Sequence, residues 1–196
     1  MECPMGVRSV VLAMVLPIKE DMMTSKIKGF FICCFVVCVF LSCSKPVREV
    51  TILKSFPLDS IDGVISQSDV QLDKNISSDA KGSLKITAHA PVTVKLFEVT
   101  GIDIEDARLT YEAKIKTEGV EGQVYLEMWC RFPGRGEFFS RGLQTTASGD
   151  TNWMTMETPF FLKKGEKPEM VKLNLVVNGK GTVWIDDIRL IKGPLK

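Results

Sequence analysis

Short runs of alternating apolar and polar residues fill the chain from residue 44 onward. In residues 109–116 (LTYEAKIK) the odd positions are apolar and the even positions are polar, and residues 171–175 (VKLNL) repeat this pattern. Because successive side chains of a β-strand point to opposite faces, a period of two predicts half-buried strands. Clusters of Gly, Asn, Asp and Pro separate the runs, which is typical of an all-β sandwich or barrel.

Nine segments of this kind are predicted as strands, and no long amphipathic helix accompanies them. They are residues 50–54, 83–88, 92–98, 109–116, 123–132, 138–144, 154–161, 171–178 and 182–191. Between the last two, Asn178-Gly179 predicts a hairpin, since Asn-Gly supplies the positive φ of a tight turn. We therefore expect residues 44–196 to form one β-sandwich domain, preceded by a separate region over residues 1–43.

The region before residue 44 carries the features of an export signal. Lys26 and Lys28 lead into an apolar run that ends at Cys43, and a basic start followed by a short apolar run is the layout of a signal peptide. The run is shorter than the roughly 20 residues of a spanning helix. Residues 1–21 fit no signal design, so we expect translation to start at Met22 or Met23.

The end of this run, Phe40-Leu41-Ser42-Cys43, resembles the lipobox of bacterial lipoproteins. The resemblance implies that Cys43 is acylated and anchors the protein to a membrane of the cell envelope. Ser44, which follows the cysteine, implies the outer membrane rather than the inner one. A plain membrane anchor and an ordinary secretory signal are the alternatives.

Charge and cysteine content argue against several classes of function. The chain has 25 basic and 24 acidic residues, a net charge of +1, and this balance lacks the basic excess of a nucleic-acid binder. Cys130 is the only cysteine after Cys43, and no CxxC pair occurs. We therefore expect neither a zinc site nor a disulfide framework.

The C-terminal segment 184–190 (WIDDIRL) resembles the closing strand of galactose-binding-like jelly rolls. Carbohydrate-binding modules of families four, nine and twenty-two end in this way, after a Gly-rich turn and a strand of alternating leucines. Residues 78–86 (SDAKGSLKI) resemble an early strand of the same modules. The resemblance implies a jelly-roll β-sandwich, a fold that hosts sugar binders, protein binders and structural modules.

Residues 123–132 are the strongest candidate for a binding strand. One face is apolar and is predicted to enter the core, with Cys130 as a buried, inert thiol. The opposite face carries Tyr125, Glu127, Trp129 and Arg131. In the jelly-roll sugar binders that the chain resembles, such rows stack aromatic rings on sugars while charged groups bind hydroxyls. Cross-strand packing and a protein-docking surface are the alternatives.

Four further positions are predicted to extend this face. Arg135 and Glu137 belong to a Gly-rich turn that closes one end of the groove. Asn174, together with Lys172, lies on the polar side of a later strand.

The acidic pair Asp186-Asp187 is the candidate metal site. The resembling modules hold a structural calcium near such a pair, and Asp79 or Asp59 would complete the shell by position. Calcium needs six to eight oxygen ligands. The alternative is that no cofactor is bound and that one Asp accepts backbone N–H groups at the end of a strand.

No arrangement typical of an enzyme stands out. His89 is the only histidine, and no nucleophile elbow, P-loop or dinucleotide fingerprint occurs. Residues 101–106 (GIDIED) are rich in carboxylates but have glycine where a glucanase nucleophile would stand. We therefore expect a non-catalytic, lipid-anchored protein that binds a carbohydrate or another envelope ligand. The alternatives are a structural or protein-interaction lipoprotein and a carboxylate-dependent glycan hydrolase.

Overall fold

The computed structural model describes residues 49–195, which form eight strands and no helix. In chain order the strands β1 to β8 are Thr51–Phe56, Val70–Asp73, Ser83–Ala88, Val92–Thr100, Ala107–Phe132, Gly136–Arg141, Ala147–Leu162 and Met170–Gly193. The all-β prediction is confirmed. Within these residues no helix is long and apolar enough to cross a membrane.

The strands form two layers. Two long antiparallel strands, β5 and β8, form the centre of both. The first half of β5 pairs with the second half of β8, with β7 beside β5 and with β1 and β3 beside β8. The second half of β5 pairs with the first half of β8, with β6 on one side and β4 on the other. Each layer therefore contains one half of the β5–β8 pair.

The apolar faces of the two layers share one core. From the second half of β5 it includes Leu126 and Met128, and from the first half it includes Leu109, Tyr111 and Ile115, all fully buried. The predicted inward face of residues 123–132 is therefore confirmed. Burial raises the pKa of Cys130 to about 12, which keeps this thiol protonated.

The predicted hairpin at Asn178-Gly179 is wrong, because β8 continues through these residues as one strand. Gly179 faces Gly122 of β5 at the point where both strands cross from one layer to the other. A Cβ on Gly179 would lie 1.9 Å from the main-chain oxygen of Glu121, and one on Gly122 would lie 2.2 Å from that of Asn178. Glycine therefore serves close backbone approach here rather than chain reversal.

Other strand boundaries also differ from the prediction. The segments predicted as 109–116 and 123–132 are parts of β5, and β6 ends at Arg141 instead of residue 144. The sequence did not reveal β2, because its four residues, VQLD, are too few to display a period of two.

Candidate ligand-binding cleft

One layer contains β4, β6, the second half of β5 and the first half of β8. Its outer face aligns polar and aromatic side chains from these four strands. Glu127 of β5 lies between Asn174 of β8 and Arg141 of β6, and Lys95 of β4 pairs with Asn174. One row further along, Trp129 lies between Lys172 and Phe139. Alternation along each strand therefore places these side chains on one face.

A cleft of about 260 Å³ lies on this face. Apolar, charged and amide side chains line it. The lining residues are Ile65, Thr93, Lys95, Phe97, Glu98, Glu127, Trp129, Glu137, Lys172 and Asn174.

The loop between β1 and β2 forms one wall of the cleft. Ile65 N donates to Leu96 O at 3.1 Å, and Ser66 N donates to Lys95 O at 2.9 Å. Ser66 Oγ accepts a hydrogen bond from Lys95 N at 2.9 Å. These bonds add the loop to the free edge of β4, and they hold Ile65, which is 47% exposed, beside the cleft.

Glu127 is the polar centre of this face. Its Oε1 accepts from Trp129 Nε1 at 2.7 Å and from Asn174 Nδ2 at 3.2 Å. Its Oε2 accepts from Arg141 Nε at 2.7 Å. Although it lies on the face opposite the core, the residue is only 5% exposed, so it is a buried carboxylate that fixes its three neighbours.

The pKa of Glu127 reflects two opposing effects. Burial is the largest single effect and raises the pKa, because it disfavours the ionised form. The hydrogen bonds from Trp129, Arg141 and Asn174 together outweigh burial, so the pKa lies below its ordinary value. The side chain is therefore an ionised hydrogen-bond acceptor rather than a proton donor.

Trp129 forms an aromatic wall above this carboxylate. Its indole is half-buried, and its ring centroid lies 5.0 Å from that of Phe139. The Arg141 guanidinium lies 4.6 Å from the Phe139 ring centroid, within cation–π range. Lys172 and Glu137 pair at 2.6 Å beside the indole. A fixed aromatic surface thus adjoins ammonium, carboxylate and amide groups.

Of the predicted binding residues, Glu127, Trp129, Glu137 and Asn174 line the cleft, and so does Lys172. Tyr125, Arg131 and Arg135 lie outside it. Arg131 pairs with Glu169 at 2.7 Å, and Arg135 pairs with Glu166 at 3.2 Å.

Sequence reasoning missed the contributions of β4, β6 and the β1–β2 loop. Alternation along the predicted strand 138–144 would place Phe139 and Arg141 on one face, but it does not reveal which strand lies beside β5. Residues 92–98 alternate less regularly, because an irregularity between Lys95 and Phe97 shifts the register. Ile65 belongs to a loop and carries no periodic signal.

The carboxylates of residues 101–106 lie away from this cleft. Asp103 and Glu105 both pair with Lys167, at 2.9 Å and 3.3 Å. The hydrogen bond from Lys167 is the main cause of the lowered pKa of Asp103, while a main-chain hydrogen bond from Gly165 is the main cause of the lowered pKa of Glu105.

The residues of the predicted calcium site are engaged by protein donors. Asp186 Oδ2 accepts from N and Oγ of Ser78, each at 2.8 Å, and its Oδ1 accepts from Asp187 N at 2.8 Å. Asp187 binds Arg189 through both oxygens. Asp79 pairs with Lys81 at 3.1 Å. Within residues 49–195 no group of three or more His, Cys, Asp or Glu side chains converges.

No protein-family model matches the chain, and no curated protein matches it in sequence. Solved structures, in contrast, share its fold. The CBM22-1 xylan-binding domain of Paenibacillus barcinonensis Xyn10C is 12% identical, with a TM-score of 0.54 over 75% of this chain and 97% of that domain. The CBM22-1–CBM22-2 tandem domain of the same protein is 13% identical, with a TM-score of 0.56 over 77% of this chain and 47% of the tandem.

A further similar structure comprises the CBM22-1 and GH10 modules of Clostridium thermocellum endo-1,4-β-D-xylanase 10B with xylohexaose. It is 11% identical, with a TM-score of 0.52 over 74% of this chain and 28% of that one. At these identities the similarity shows the fold alone. The predicted jelly-roll β-sandwich fold is confirmed.

Proposed function

We propose that the chain is a lipid-anchored, non-catalytic envelope protein that binds a carbohydrate in the cleft around Trp129. The observation that carries the proposal is one cleft that combines a half-buried indole with a floor of hydrogen-bonding side chains, among them Glu127 and Asn174. Sugars have apolar ring faces and many hydroxyls, so they fit a site that offers both kinds of contact. The similar structures support it, because one of them is a xylan-binding domain and another contains xylohexaose.

The indole is prepared for stacking before any ligand arrives. Its N–H is bound by the buried carboxylate of Glu127, and Phe139 packs against it. A ring held in this way loses little conformational freedom on binding, which leaves more of the contact energy as affinity.

The floor offers hydrogen-bond partners that protein contacts leave available. Asn174 Nδ2 donates to Glu127, and Asn174 is one of the residues that line the cleft. Lys95 and Glu98 stand on the β4 side of the same cleft. These groups supply both donors and acceptors, as alternating sugar hydroxyls require.

The non-catalytic part of the proposal is supported by the state of Glu127. A glycosidase acid needs a raised pKa, and its partner carboxylate must be free to attack or to activate water. The pKa of Glu127 is lowered, and three donors occupy its oxygens.

The test is isothermal titration of the full chain, purified in detergent, with xylo-, cello-, manno- and galacto-oligosaccharides and peptidoglycan fragments. We expect at least one of these glycans to bind. Trp129→Ala is expected to weaken that binding at least about tenfold, or about 1.4 kcal/mol, because it removes the stacking surface. Circular dichroism checks that the variant stays folded.

Phe161→Ala is the matched control, since Phe161 is a 56% exposed aromatic residue on β7, away from the cleft. Its glycan affinity is expected to equal that of the wild type. Equal losses in both variants, or no binding across the panel, would reject the proposal.

A protein-interaction role is the second candidate, and one observation favours it. Phe138, Phe139 and Leu143 are 43%, 52% and 55% exposed on β6 and the loop that follows it. Aromatic side chains of this kind are frequent binding hot spots. Co-purification of an envelope protein that depends on Phe138 and Leu143, but not on Trp129, would favour this role.

A further inference from the structure

Strand β6 forms an open edge of the layer that carries the cleft. It pairs with β5 on one side, and within residues 49–195 no strand pairs with its other side. The opposite edge of the same layer, β4, is covered by the hydrogen bonds of Ile65 and Ser66. β6 contains neither lysine nor proline, the residues that commonly protect an edge strand. This edge is therefore a template for a further strand.

Alternate residues of β6 direct their main-chain groups to the open side. Gly142 N donates to Leu126 O at 2.9 Å, and the register with β5 continues without a shift through β6. Bonded and non-bonded pairs alternate in an antiparallel ladder. The N–H groups and carbonyl oxygens of Glu137, Phe139 and Arg141 therefore point away from β5.

Exposed aromatic side chains accompany these main-chain groups. Phe138 and Phe139 are both exposed, and they lie on opposite faces of the strand because side chains alternate. Phe139 is on the cleft face, where its ring contacts Trp129. Apolar side chains beside unpaired main-chain groups are typical of an edge that another chain covers.

The outward-facing residues of β6 complement a second copy of themselves. An antiparallel copy with Phe139 opposite Phe139 brings all three outward residues into bonded pairs, and it places Glu137 opposite Arg141 twice. Opposite charges at such cross-strand positions attract. A register shifted by two residues would place Phe139 opposite Glu137 or Arg141 instead, and both ion pairs would be lost.

Both charged side chains keep groups available for these pairs. Glu137 binds Lys172 through Oε1, and Arg141 binds Glu127 through Nε. The second carboxylate oxygen and the two terminal guanidinium nitrogens are left for the second copy. Arg141 O accepts from Leu143 N at 2.9 Å, and its other lone pair can still join the ladder.

We infer that β6 pairs antiparallel with β6 of a second copy of this chain, across a two-fold axis at Phe139. A two-fold contact uses the same surface on both partners, which is what the self-complementary strand offers. The edge of one six-residue strand is small for a protein interface, so the dimer is expected to form reversibly. The inference is independent of the proposed glycan binding.

The pairing would join the aromatic walls of two clefts. Trp129 lies opposite Phe139 in the β5–β6 register, and Phe139 lies opposite Phe139 of the second copy. The two indoles and the two phenyl rings thus form one row on one face. The row is about 14 Å long, since neighbouring strands lie about 4.8 Å apart.

The test is disulfide cross-linking of the full chain in detergent under mild oxidation. Phe139→Cys is expected to link residue 139 of the two copies, because Cα atoms about 5.5 Å apart permit a disulfide. Mass spectrometry of the linked peptides separates this bond from bonds of the native cysteines. Phe161→Cys, at a similarly exposed position on β7, is the control and is expected to give no link between residues 161.

Sedimentation velocity over a series of concentrations measures the association without a cross-link. Phe139→Pro removes an outward N–H and leaves the main-chain bonds to β5 in place, as proline on an edge strand does. It is expected to weaken dimerisation at least about tenfold, with an unchanged circular dichroism spectrum. Phe161→Ala should dimerise as the wild type does.

A wild type that stays monomeric at every concentration would overturn the inference, and so would equal cross-linking at residues 139 and 161. A dimer that Phe139→Pro leaves intact would also reject it. The cross-link remains decisive if Phe139→Pro fails to fold. A monomeric wild type that binds a different protein through β6 would assign this edge to that protein instead.

Discussion

Glu127 organises the candidate site at the scale of single residues. Its carboxylate orients an indole, an amide and a guanidinium at distances between 2.7 Å and 3.2 Å. Alternation in the sequence predicts which face it occupies. It does not predict that the side chain is buried, because burial depends on Arg141 from another strand and on Asn174 from a third.

The lowered pKa of Glu127 has a consequence for stability. A carboxyl group whose pKa is lower in the folded state stabilises that state above the pKa of the unfolded chain, near 4.5. This contribution is lost as the pH falls through the lower pKa of the folded state.

Glu127→Gln is therefore expected to lower the free energy of unfolding by about 1–2 kcal/mol at neutral pH, since it weakens charge-assisted hydrogen bonds. The value is kept small because Arg141 is 42% exposed and screened by solvent. Urea unfolding at a series of pH values measures it. Wild type and variant should converge in acid, and a constant difference at every pH would contradict the assignment of the lowered pKa.

At the scale of elements, the architecture depends on β5 and β8 crossing together from one layer to the other. Gly122 and Gly179 face each other there, and each leaves space for the main chain of the other strand. The same Asn-Gly pair that predicts a hairpin in the sequence thus occupies a continuous strand. Local turn preference is outweighed because pairing with β5 on both sides of this point holds β8 extended.

Gly179→Ala is expected to lower the free energy of unfolding by about 3 kcal/mol or more, because its Cβ would overlap the main-chain oxygen of Glu121. Chemical denaturation measures the loss. Gly134→Ala is the control: its φ is +67°, and no atom lies within 4 Å of the added Cβ. That variant should lose only about 1 kcal/mol, from backbone strain, and an equal loss in both variants would contradict the close-approach argument.

At the scale of the whole molecule, the proposed anchor and the sandwich domain have separate roles. Cys43 lies outside the described residues, so its acylation is a proposal from the sequence. One acyl chain gives marginal membrane binding, while two or more hold a protein stably. The domain then needs no membrane-binding surface of its own, and its outer face is free to bind ligand.

Cys43→Ser is expected to abolish fatty-acid labelling in cells and to move the protein out of the detergent-rich fraction on phase separation. The sandwich should remain folded, because the change lies outside it. Gradient separation of the membranes tests the outer-membrane expectation for the wild type. A Cys43→Ser protein that still incorporates labelled fatty acid would reject the anchor.

The sequence by itself determined the fold class and the inward face of the strands, because a period of two is a local property of each segment. It also indicated the region of the candidate cleft, since the predicted residues Trp129, Glu127, Glu137 and Asn174 all line it. Only the tertiary structure decided which strands lie beside one another, and hence the roles of Phe139, Arg141 and Ile65. Neighbours across a sheet depend on pairing between residues distant in the chain, and no local pattern encodes that pairing.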